Sequence, residues 1–95
     1  METNVRNNQD AMRFEMHVNN YIAFIEYKLE REQMTLVHTE VPSELGGQGI
    51  GGRIVNVALN FAERNGFSVV AECPFARHYI QKHEIGQEAV EKNDG

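Results

Sequence analysis

The sequence is poor in cysteine and in long hydrophobic runs, and both shortages narrow the kinds of protein it can form. Cys73 is the only cysteine among 95 residues, which excludes an internal disulfide and a cysteine-rich metal site. No apolar segment reaches the length of a signal peptide or a membrane-spanning helix. From these absences we expect a soluble, cytoplasmic protein with no membrane partner.

Positive charge and metal-ligand spacing are also scarce. Nine lysines and arginines stand against 14 aspartates and glutamates, so the formal net charge is −5. With no basic stripe to neutralise phosphates, the chain is a poor candidate for nucleic-acid binding. The best-spaced histidines, His78 and His83, are five residues apart and align poorly on a helix, and we therefore expect no bound metal.

What the chain does contain is enough apolar material for one small domain, since 41% of its residues are hydrophobic. Residues 1–10 are polar and rich in asparagine, and residues 86–95 are acidic. Both segments lack an apolar pattern, so we predict flexible tails there. A single folded domain is predicted for residues 11–85.

The first half of this domain has the hydrophobic pattern of an antiparallel meander. Residues 12–18 alternate between apolar and polar side chains, which predicts a strand with one buried face. Asn19 and Asn20 mark a turn, and residues 21–28 are apolar on both faces, as in a central strand. A third strand is predicted for residues 34–41.

A glycine-rich stretch follows the third strand and organises the second half of the chain. Directly after it, a helical apolar period predicts a helix over residues 49–64, which ends at Asn65 and Gly66. A strand over residues 67–72 then lies parallel to the third strand through a right-handed crossover, and Pro74 begins a second helix. The stretch contains five of the eight glycines in the chain: Gly46, Gly47, Gly49, Gly51 and Gly52.

Such a loop before a helix exposes backbone amides at the positive end of the helix dipole, and Arg53 adds a full charge, which favours a phosphate site. A nucleoside-triphosphate loop is excluded, because Arg53 and Ile54 replace the required lysine and hydroxyl residue. The dinucleotide pattern G-x-G-x-x-G is present from Gly47 to Gly52, but 95 residues cannot supply two mononucleotide-binding halves. The other interpretations are the pyrophosphate loop of an acyl-CoA-dependent acyltransferase and a tight turn without a ligand.

The segment VPSELGGQGIG, residues 41–51, resembles the coenzyme A loop of the GNAT superfamily of N-acetyltransferases, whose pattern is Arg/Gln-x-x-Gly-x-Gly/Ala. The segments HTEVP (38–42) and CPF (73–75) resemble the small single-domain branch of that superfamily. The resemblance spans most of the chain. It departs from the pattern at Gly46, which replaces the first Arg or Gln, and at Glu84, where a proline is expected.

The resemblance implies an α/β fold of the minimal GNAT-like type, in which the antiparallel meander is followed by a βαβ crossover and a C-terminal helix. It also implies that acetyl-CoA is the cosubstrate and that an acetyl group passes to an amine. Backbone amides at residues 39–41 would pair with the pantetheine arm and the thioester carbonyl, and the glycine loop would hold the pyrophosphate. The implied cosubstrate-binding residues are Thr39, Glu40, Val41, Gly46, Gly47, Gln48, Gly49, Ile50, Gly51, Gly52 and Arg53.

Three side chains are candidates for the chemistry, and each also has a purely structural interpretation. His38 is the candidate base, because imidazole titrates near neutrality; the alternative is a partly buried histidine bonded to a carbonyl. Cys73, between a strand and a helix, can carry the acetyl group or protonate the leaving thiolate, or it is a buried structural cysteine. Tyr79 resembles the tyrosine that protonates the leaving thiolate in many GNAT enzymes, and a core tyrosine is the alternative.

The acceptor side is expected to be open. Larger GNAT enzymes carry helices between their first two strands, whereas Asn19 and Asn20 join these strands directly here. The expected acceptor is therefore a protruding lysine or amino terminus of a macromolecule, or an unidentified small amine. The same openness suits an alternative function, a non-catalytic acyl-CoA-binding or regulatory module, and a third, an interaction domain that has lost its ligand.

Overall fold

The computed structural model describes residues 4–83 and shows one five-stranded sheet with two helices packed against it. Four strands come first along the chain, then a helix, a fifth strand and a second helix. The tail predicted for residues 86–95 and the departure at Glu84 lie outside the described residues. The elements are β1 (Val5–Asn8), β2 (Arg13–Val18), β3 (Tyr21–Glu30), β4 (Gln33–Glu40), α1 (Ile50–Arg64), β5 (Ser68–Ala71) and α2 (Pro74–His83), with a 3-10 turn at Ser43–Leu45 before α1.

The strands lie in the sheet in chain order, from β1 at one edge to β5 at the other. β1 to β4 pair antiparallel with their neighbours, and β4 and β5 pair parallel because α1 carries the chain back along the sheet. The predicted meander, βαβ crossover and second helix are confirmed. The predicted strand ends differ from the observed ones by no more than two residues.

The prediction of a flexible N-terminal tail is wrong at residues 5–8, which form the edge strand β1. Two of its asparagines, a residue type that favours loops, form side-chain hydrogen bonds with residues outside β1. The Tyr27 hydroxyl donates to Asn7 Oδ1 at 2.6 Å, and Asn8 Nδ2 donates to a Glu15 carboxylate oxygen at 2.9 Å. Backbone pairing and these side-chain bonds stabilise β1, although its sequence lacks the apolar alternation that predicts a strand.

The hydrophobic core lies between the sheet and the helices. Alternate residues of the central strands contribute to it, and α1 buries one apolar stripe. Met12, predicted for the same buried face, instead lies in the turn before β2 with φ +57° and is 37% exposed. The core side chains are Phe14, Met16, Ala23, Ile25, Tyr27, Met34, Leu36, Leu45, Ile50, Ile54, Val55, Ala58, Leu59, Ala62, Val69, Cys73, Ala76 and Ile80.

On the sheet face opposite the helices, charged side chains form hydrogen bonds and ion pairs with one another. Glu15 is buried there, and its carboxylate accepts a bond from Arg13 Nε at 2.6 Å and contacts His17 Nε2 at 3.0 Å. The hydrogen bonds from His17 and Arg13, in that order, outweigh desolvation and lower the pKa of Glu15 to about 2. The Arg13 guanidinium also lies 4.3 Å from the centre of the Phe24 ring. Side chains on this face are therefore ordered without a helix to cover them.

Candidate active site

The glycine loop between β4 and α1 depends on two residues in the left-handed conformation. Gly47 has φ +80° and Gly49 has φ +72°, values that residues with a Cβ rarely adopt. The 3-10 turn before them buries Leu45, which anchors the loop in the core. Among the described residues, apart from the chain neighbours, no atom lies within 4 Å of a Cβ built on either glycine. The loop is therefore open at both positions.

Backbone amides at the start of α1 have no partner inside the helix. The Arg53 amide donates to the Gly49 carbonyl at 3.1 Å, so the amides of residues 50–52 precede the helical hydrogen-bond ladder. Within residues 4–83, no backbone acceptor bonds the amides of residues 47–52. The first turn of α1 carries no acidic residue, and Arg53 is exposed. These amides, together with the helix dipole, can bind an anion such as phosphate.

Gly51 and Gly52 have a different role from the two loop glycines, because α2 packs directly over them. A Cβ on Gly51 would lie 2.6 Å from Phe75 Cζ, and a Cβ on Gly52 would lie 2.6 Å from Tyr79 Cε1. Both glycines are buried in α1, so their missing side chains allow the two helices to approach closely. A phosphate-binding role for these two residues is therefore limited to their backbone amides.

β4 and β5 separate at the end of their shared ladder. The last paired residues are Leu36 and Ala71, and the amides of Glu72 and Cys73 both donate to the Leu36 carbonyl, at 2.9 and 3.0 Å. Among the described residues, β4 then continues through residues 37–40 with only β3 beside it, while the chain after β5 turns into α2. This opening leaves one edge of β4 without a strand partner.

A β-bulge at Val37 sets the direction of the side chains beside the opening. Glu26 pairs with His38, whereas Tyr27 pairs with Leu36, so Val37 is an extra residue in β4. Beyond the bulge, His38 lies on the face opposite the helices, and the next residue lies on the helix-covered face.

His38 is exposed and has a carboxylate partner. Its Nε2 lies 3.0 Å from Glu40 Oε1, and the two side chains are 54% and 57% exposed. The centre of the Phe24 ring is 6.2 Å from the centre of the imidazole. This environment differs from that of a partly buried histidine bonded to a carbonyl, and it leaves the ring within reach of a ligand on the open face.

Cys73 lies on the other, helix-covered face and is 3% exposed. Its Sγ is 2.9 Å from Thr39 Oγ1, a contact that spans the opening between β4 and α2. Since successive strand residues point to opposite faces, His38 and Cys73 lie on opposite sides of the sheet. The predicted base and the predicted thiol are therefore near one opening but are not brought into contact.

Tyr79 lies where α2 packs against the first turns of α1. Its hydroxyl accepts a bond from Asn56 Nδ2 at 3.2 Å, and its ring stacks on Phe75 with ring centres 6.3 Å apart. The ring centre of His83 is 4.3 Å away on the other side. A hydroxyl that accepts from Asn56 keeps its own proton to donate elsewhere. Sequence reasoning missed Asn56, because nothing in the sequence pairs it with a residue 23 positions later.

The fold and this arrangement can be compared with known proteins. A family model described as GCN5-related N-acetyl-transferase matches residues 13–89. The chain belongs to the GCN5-related N-acetyltransferase family. A GCN5-like protein from Staphylococcus aureus, solved by NMR and proposed to be an N-acetyltransferase, is similar in structure, with a TM-score of 0.76. The two chains are 27% identical, and the match covers 98% of this chain and 94% of that one.

Membership of the GCN5-related N-acetyltransferase family confirms the resemblance found in the sequence and the assignment to acyltransferases. In this family member, the predicted cosubstrate residues gather at one end of the sheet, but their side chains differ in exposure. Gly46 and Gln48 are exposed in the loop and Val41 is half-buried. The Ile50 side chain is 3% exposed and belongs to the core, so only its amide is free for a ligand.

Outside the candidate site, residues 4–83 contain a further depression but no cluster of metal ligands. Within residues 4–83, no group of three or more His, Cys, Asp or Glu side chains is arranged to hold a metal ion. No helix in the same residues is long and apolar enough to cross a membrane. A depression of about 570 Å³ lies at the far end of β4 from the glycine loop, and it is lined by Glu30, Arg31, Glu32, Gln33 and Ser68.

Proposed function

We propose that the chain binds acetyl-CoA and transfers the acetyl group to an amine. One observation carries the proposal: the free amides of residues 47–52 and the opening between β4 and β5 lie at the same end of the sheet. A ligand with a pyrophosphate and a long flexible arm can occupy both features at once. Family membership supports acetyl transfer as the class of chemistry.

The glycine loop would hold the pyrophosphate mainly through backbone amides. Gly47 and Gly49 turn the chain so that the amides before and within the first turn of α1 are free, and Arg53 adds a positive charge. Gly46 stands where the GNAT pattern has an arginine or glutamine, so one side-chain contact to phosphate is missing. Binding should therefore depend more on the loop's backbone conformation than on any single side chain.

The unpaired edge of β4 would hold the pantetheine arm. The amide groups of the pantetheine arm can pair with the backbone of residues 37–40 in the manner of an added strand. The same edge would bring the thioester carbonyl to an amide donor at residues 39–41, which stabilises the charge that develops on the carbonyl oxygen. The sulfur of the thioester would then lie beside Cys73.

Direct transfer needs two proton movements on opposite sides of the reacting carbon. The amine nitrogen attacks the thioester carbon, the carbon–sulfur bond breaks, the nitrogen loses a proton and the leaving thiolate gains one. His38, beside Glu40, is the candidate base on the open face. Cys73 or Tyr79 is the candidate proton donor on the helix-covered face. The separation of His38 from Cys73 by the sheet suits this division of roles.

A covalent route is also compatible with the position of Cys73. Its thiolate would attack the thioester carbon and release coenzyme A, which leaves an acetyl group on Sγ. The amine would then attack this second thioester and lose a proton to a base, the carbon–sulfur bond would break, and Cys73 would leave as a thiolate. Intact-mass analysis after mixing with acetyl-CoA distinguishes the routes. A mass gain that disappears in Cys73→Ser supports the covalent route, whereas an adduct elsewhere in Cys73→Ser contradicts it.

The acceptor would approach the open face of the sheet. The turn between β2 and β3 contains only Asn19 and Asn20, so no helix covers the strands there. Glu26 pairs with His38 across the β3–β4 ladder, and Glu40 contacts it, which suits a positively charged amine. A lysine or an amino terminus of a macromolecule fits this exposed surface, as does a small amine.

A non-catalytic acyl-CoA-binding module is a second candidate function. The observation that favours it is the exposure of the candidate base: the side chains of His38 and Glu40 are 54% and 57% exposed, so the imidazole is not shielded from water. Binding of acetyl-CoA without acetyl transfer to lysine peptides or small amines would support the module over the enzyme.

Two glycines with matched geometry provide the test of the binding site. Gly49 and Gly66 have φ +72° and +73°, lie near opposite ends of α1, and have no atom within 4 Å of a built Cβ among the described residues, chain neighbours apart. Alanine at either position costs roughly 1–2 kcal/mol of backbone strain. In calorimetric titrations with acetyl-CoA, we expect Gly49→Ala to bind about tenfold more weakly and Gly66→Ala to bind like the wild type. Equal affinities for all three, or no binding by the wild type, would contradict the proposal.

A further inference from the structure

The contact between Thr39 and Cys73 joins elements that are 34 residues apart in the sequence. Thr39 Oγ1 lies 2.9 Å from Cys73 Sγ, on the helix-covered face where β4 and β5 separate. The backbone amide of Thr39 belongs to the proposed cosubstrate site, but its hydroxyl has no role there. The side-chain contact therefore needs its own explanation.

Both partners of this contact are fixed by their backbones. The Cys73 amide donates to the Leu36 carbonyl at 3.0 Å, and the Cys73 carbonyl accepts from the Arg77 amide at 3.0 Å. Thr39 pairs with Ile25 in the β3–β4 ladder, and its branched Cβ restricts the directions that its hydroxyl can take. A fixed hydroxyl thus meets a fixed thiol and limits the orientation of Sγ.

A hydroxyl is a suitable partner for a sulfur atom whose charge changes during a reaction. A neutral thiol can donate a weak hydrogen bond to Oγ1, whereas a thiolate can only accept one, and the Thr39 hydroxyl then donates. One contact therefore serves both protonation states of Cys73. Within the part of the chain that the structure describes, no other side chain bonds Cys73 Sγ.

We propose that Thr39 is the positioning residue for Cys73: its hydroxyl holds Sγ at the opening between β4 and β5 and stabilises the thiolate when it forms. The proposal rests on the proposed function, because the orientation of Cys73 matters only if the sulfur faces the thioester. Thr39 acts through Cys73 and does not itself touch the reacting carbon with its side chain. It serves Cys73 equally as a proton donor and as an acetyl carrier.

Alkylation of the single cysteine by iodoacetamide reports on this contact without a substrate. Thr39→Val removes the hydroxyl and keeps the shape, and Thr39→Ser restores the hydroxyl. We expect the alkylation rate at neutral pH to fall about tenfold in Thr39→Val and to stay within about twofold of wild type in Thr39→Ser. The pH–rate profile of Thr39→Val should shift to higher pH, because the thiolate has lost its donor.

Thr35→Val is the matched control. Thr35 is a buried threonine of the same strand, and its Oγ1 accepts from Gln33 Nε2 at 3.4 Å instead of contacting Cys73. The alkylation rate of Cys73 and its pH profile in Thr35→Val should match those of the wild type. Thermal unfolding of each variant checks the fold, and if Thr39→Val does not fold, Thr39→Ala is compared with Thr39→Ser in its place.

Three results would overturn the proposal. Alkylation of Thr39→Val at the wild-type rate and with an unchanged pH profile would mean that the hydroxyl has no effect on the sulfur. Faster alkylation in Thr39→Val would mean that the contact only shields Sγ. Equal slowing in Thr39→Ser and Thr39→Val would assign the effect to shape. A parallel titration of the wild type with acetyl-CoA tests the proposed function separately, because the alkylation series needs no cosubstrate.

Discussion

The two faces of the sheet near the end of β4 are ordered by different forces. On the helix-covered face, Gly52 allows α2 to pack closely against α1, and Thr39 contacts a buried Cys73. On the open face, His38 and Glu40 form a polar contact in reach of water. The covered face is thus fixed by shape, whereas the open face is fixed by charge and can receive a charged partner without repacking of the core.

The largest effect on stability is expected on the open face, at the buried carboxylate of Glu15. The pKa of Glu15 is lowered from 4.5 to about 2, which corresponds to roughly 3 kcal/mol of stabilisation. Glu15→Gln should therefore lower the free energy of unfolding at neutral pH by about 2 kcal/mol in urea denaturation, because part of the hydrogen bonding survives. Glu26→Gln, on the same face, is the control and should change it by less than about 0.5 kcal/mol.

The pH dependence sharpens the same comparison. Because the pKa of Glu15 is depressed in the folded state, its stabilisation is fully present above pH 4.5 and is lost as the pH falls through about 2. The stability curves of wild type and Glu15→Gln should therefore converge on acidification. Parallel curves between pH 4.5 and 2 would show that the charge of Glu15 does not stabilise this face.

A smaller effect on stability is expected on the covered face, where close packing between the helices is the main constraint. Gly52→Ala would place a Cβ 2.6 Å from Tyr79 Cε1, and that ring is held by stacking and by Asn56. Overpacking should outweigh the gain in helix propensity and lower the free energy of unfolding by about 1 kcal/mol. Asn60→Ala, at an exposed position of α1, should instead leave stability unchanged or slightly raised. A stabilised Gly52→Ala would mean that the helices can separate easily.

The smallest effect on stability is expected at the exposed pair of His38 and Glu40. His38 and Glu40 are both more than half exposed, so Glu40→Gln should change the free energy of unfolding by less than about 0.5 kcal/mol. A loss above about 1 kcal/mol in thermal or urea unfolding would identify the pair as structural. Little loss of stability would leave His38 free for a role in proton transfer.

The fold could largely be predicted from the sequence, because its strands and α1 carry strong apolar periods. Phe14 and Met16 mark one buried face of β2, and Asn65 and Gly66 mark the end of α1. β1 could not be predicted in this way. Its asparagines Asn7 and Asn8 are bonded to Tyr27 and Glu15, which lie outside β1, so the sequence of β1 alone does not contain these partners.

The roles of the candidate site residues stay predictions, and the geometry of the site could not be predicted from the sequence. The apolar residues Met34, Leu36 and Val37 gave no sign that Val37 is a bulge, which decides the face on which His38 lies. The division of the glycines into loop and packing roles depends on Phe75 and Tyr79, more than twenty residues later in the chain. The sequence around the glycines therefore does not show that α2 packs closely against them.

The most direct test of the proposed cosubstrate site is an NMR titration of the isotope-labelled 95-residue chain with coenzyme A. The largest changes in amide chemical shift are predicted at residues 47–53 and at residues 38–41, with the amides of β1 unchanged. No change at any amide would contradict the account. So would changes confined to Glu30–Gln33, at the depression on the far end of β4.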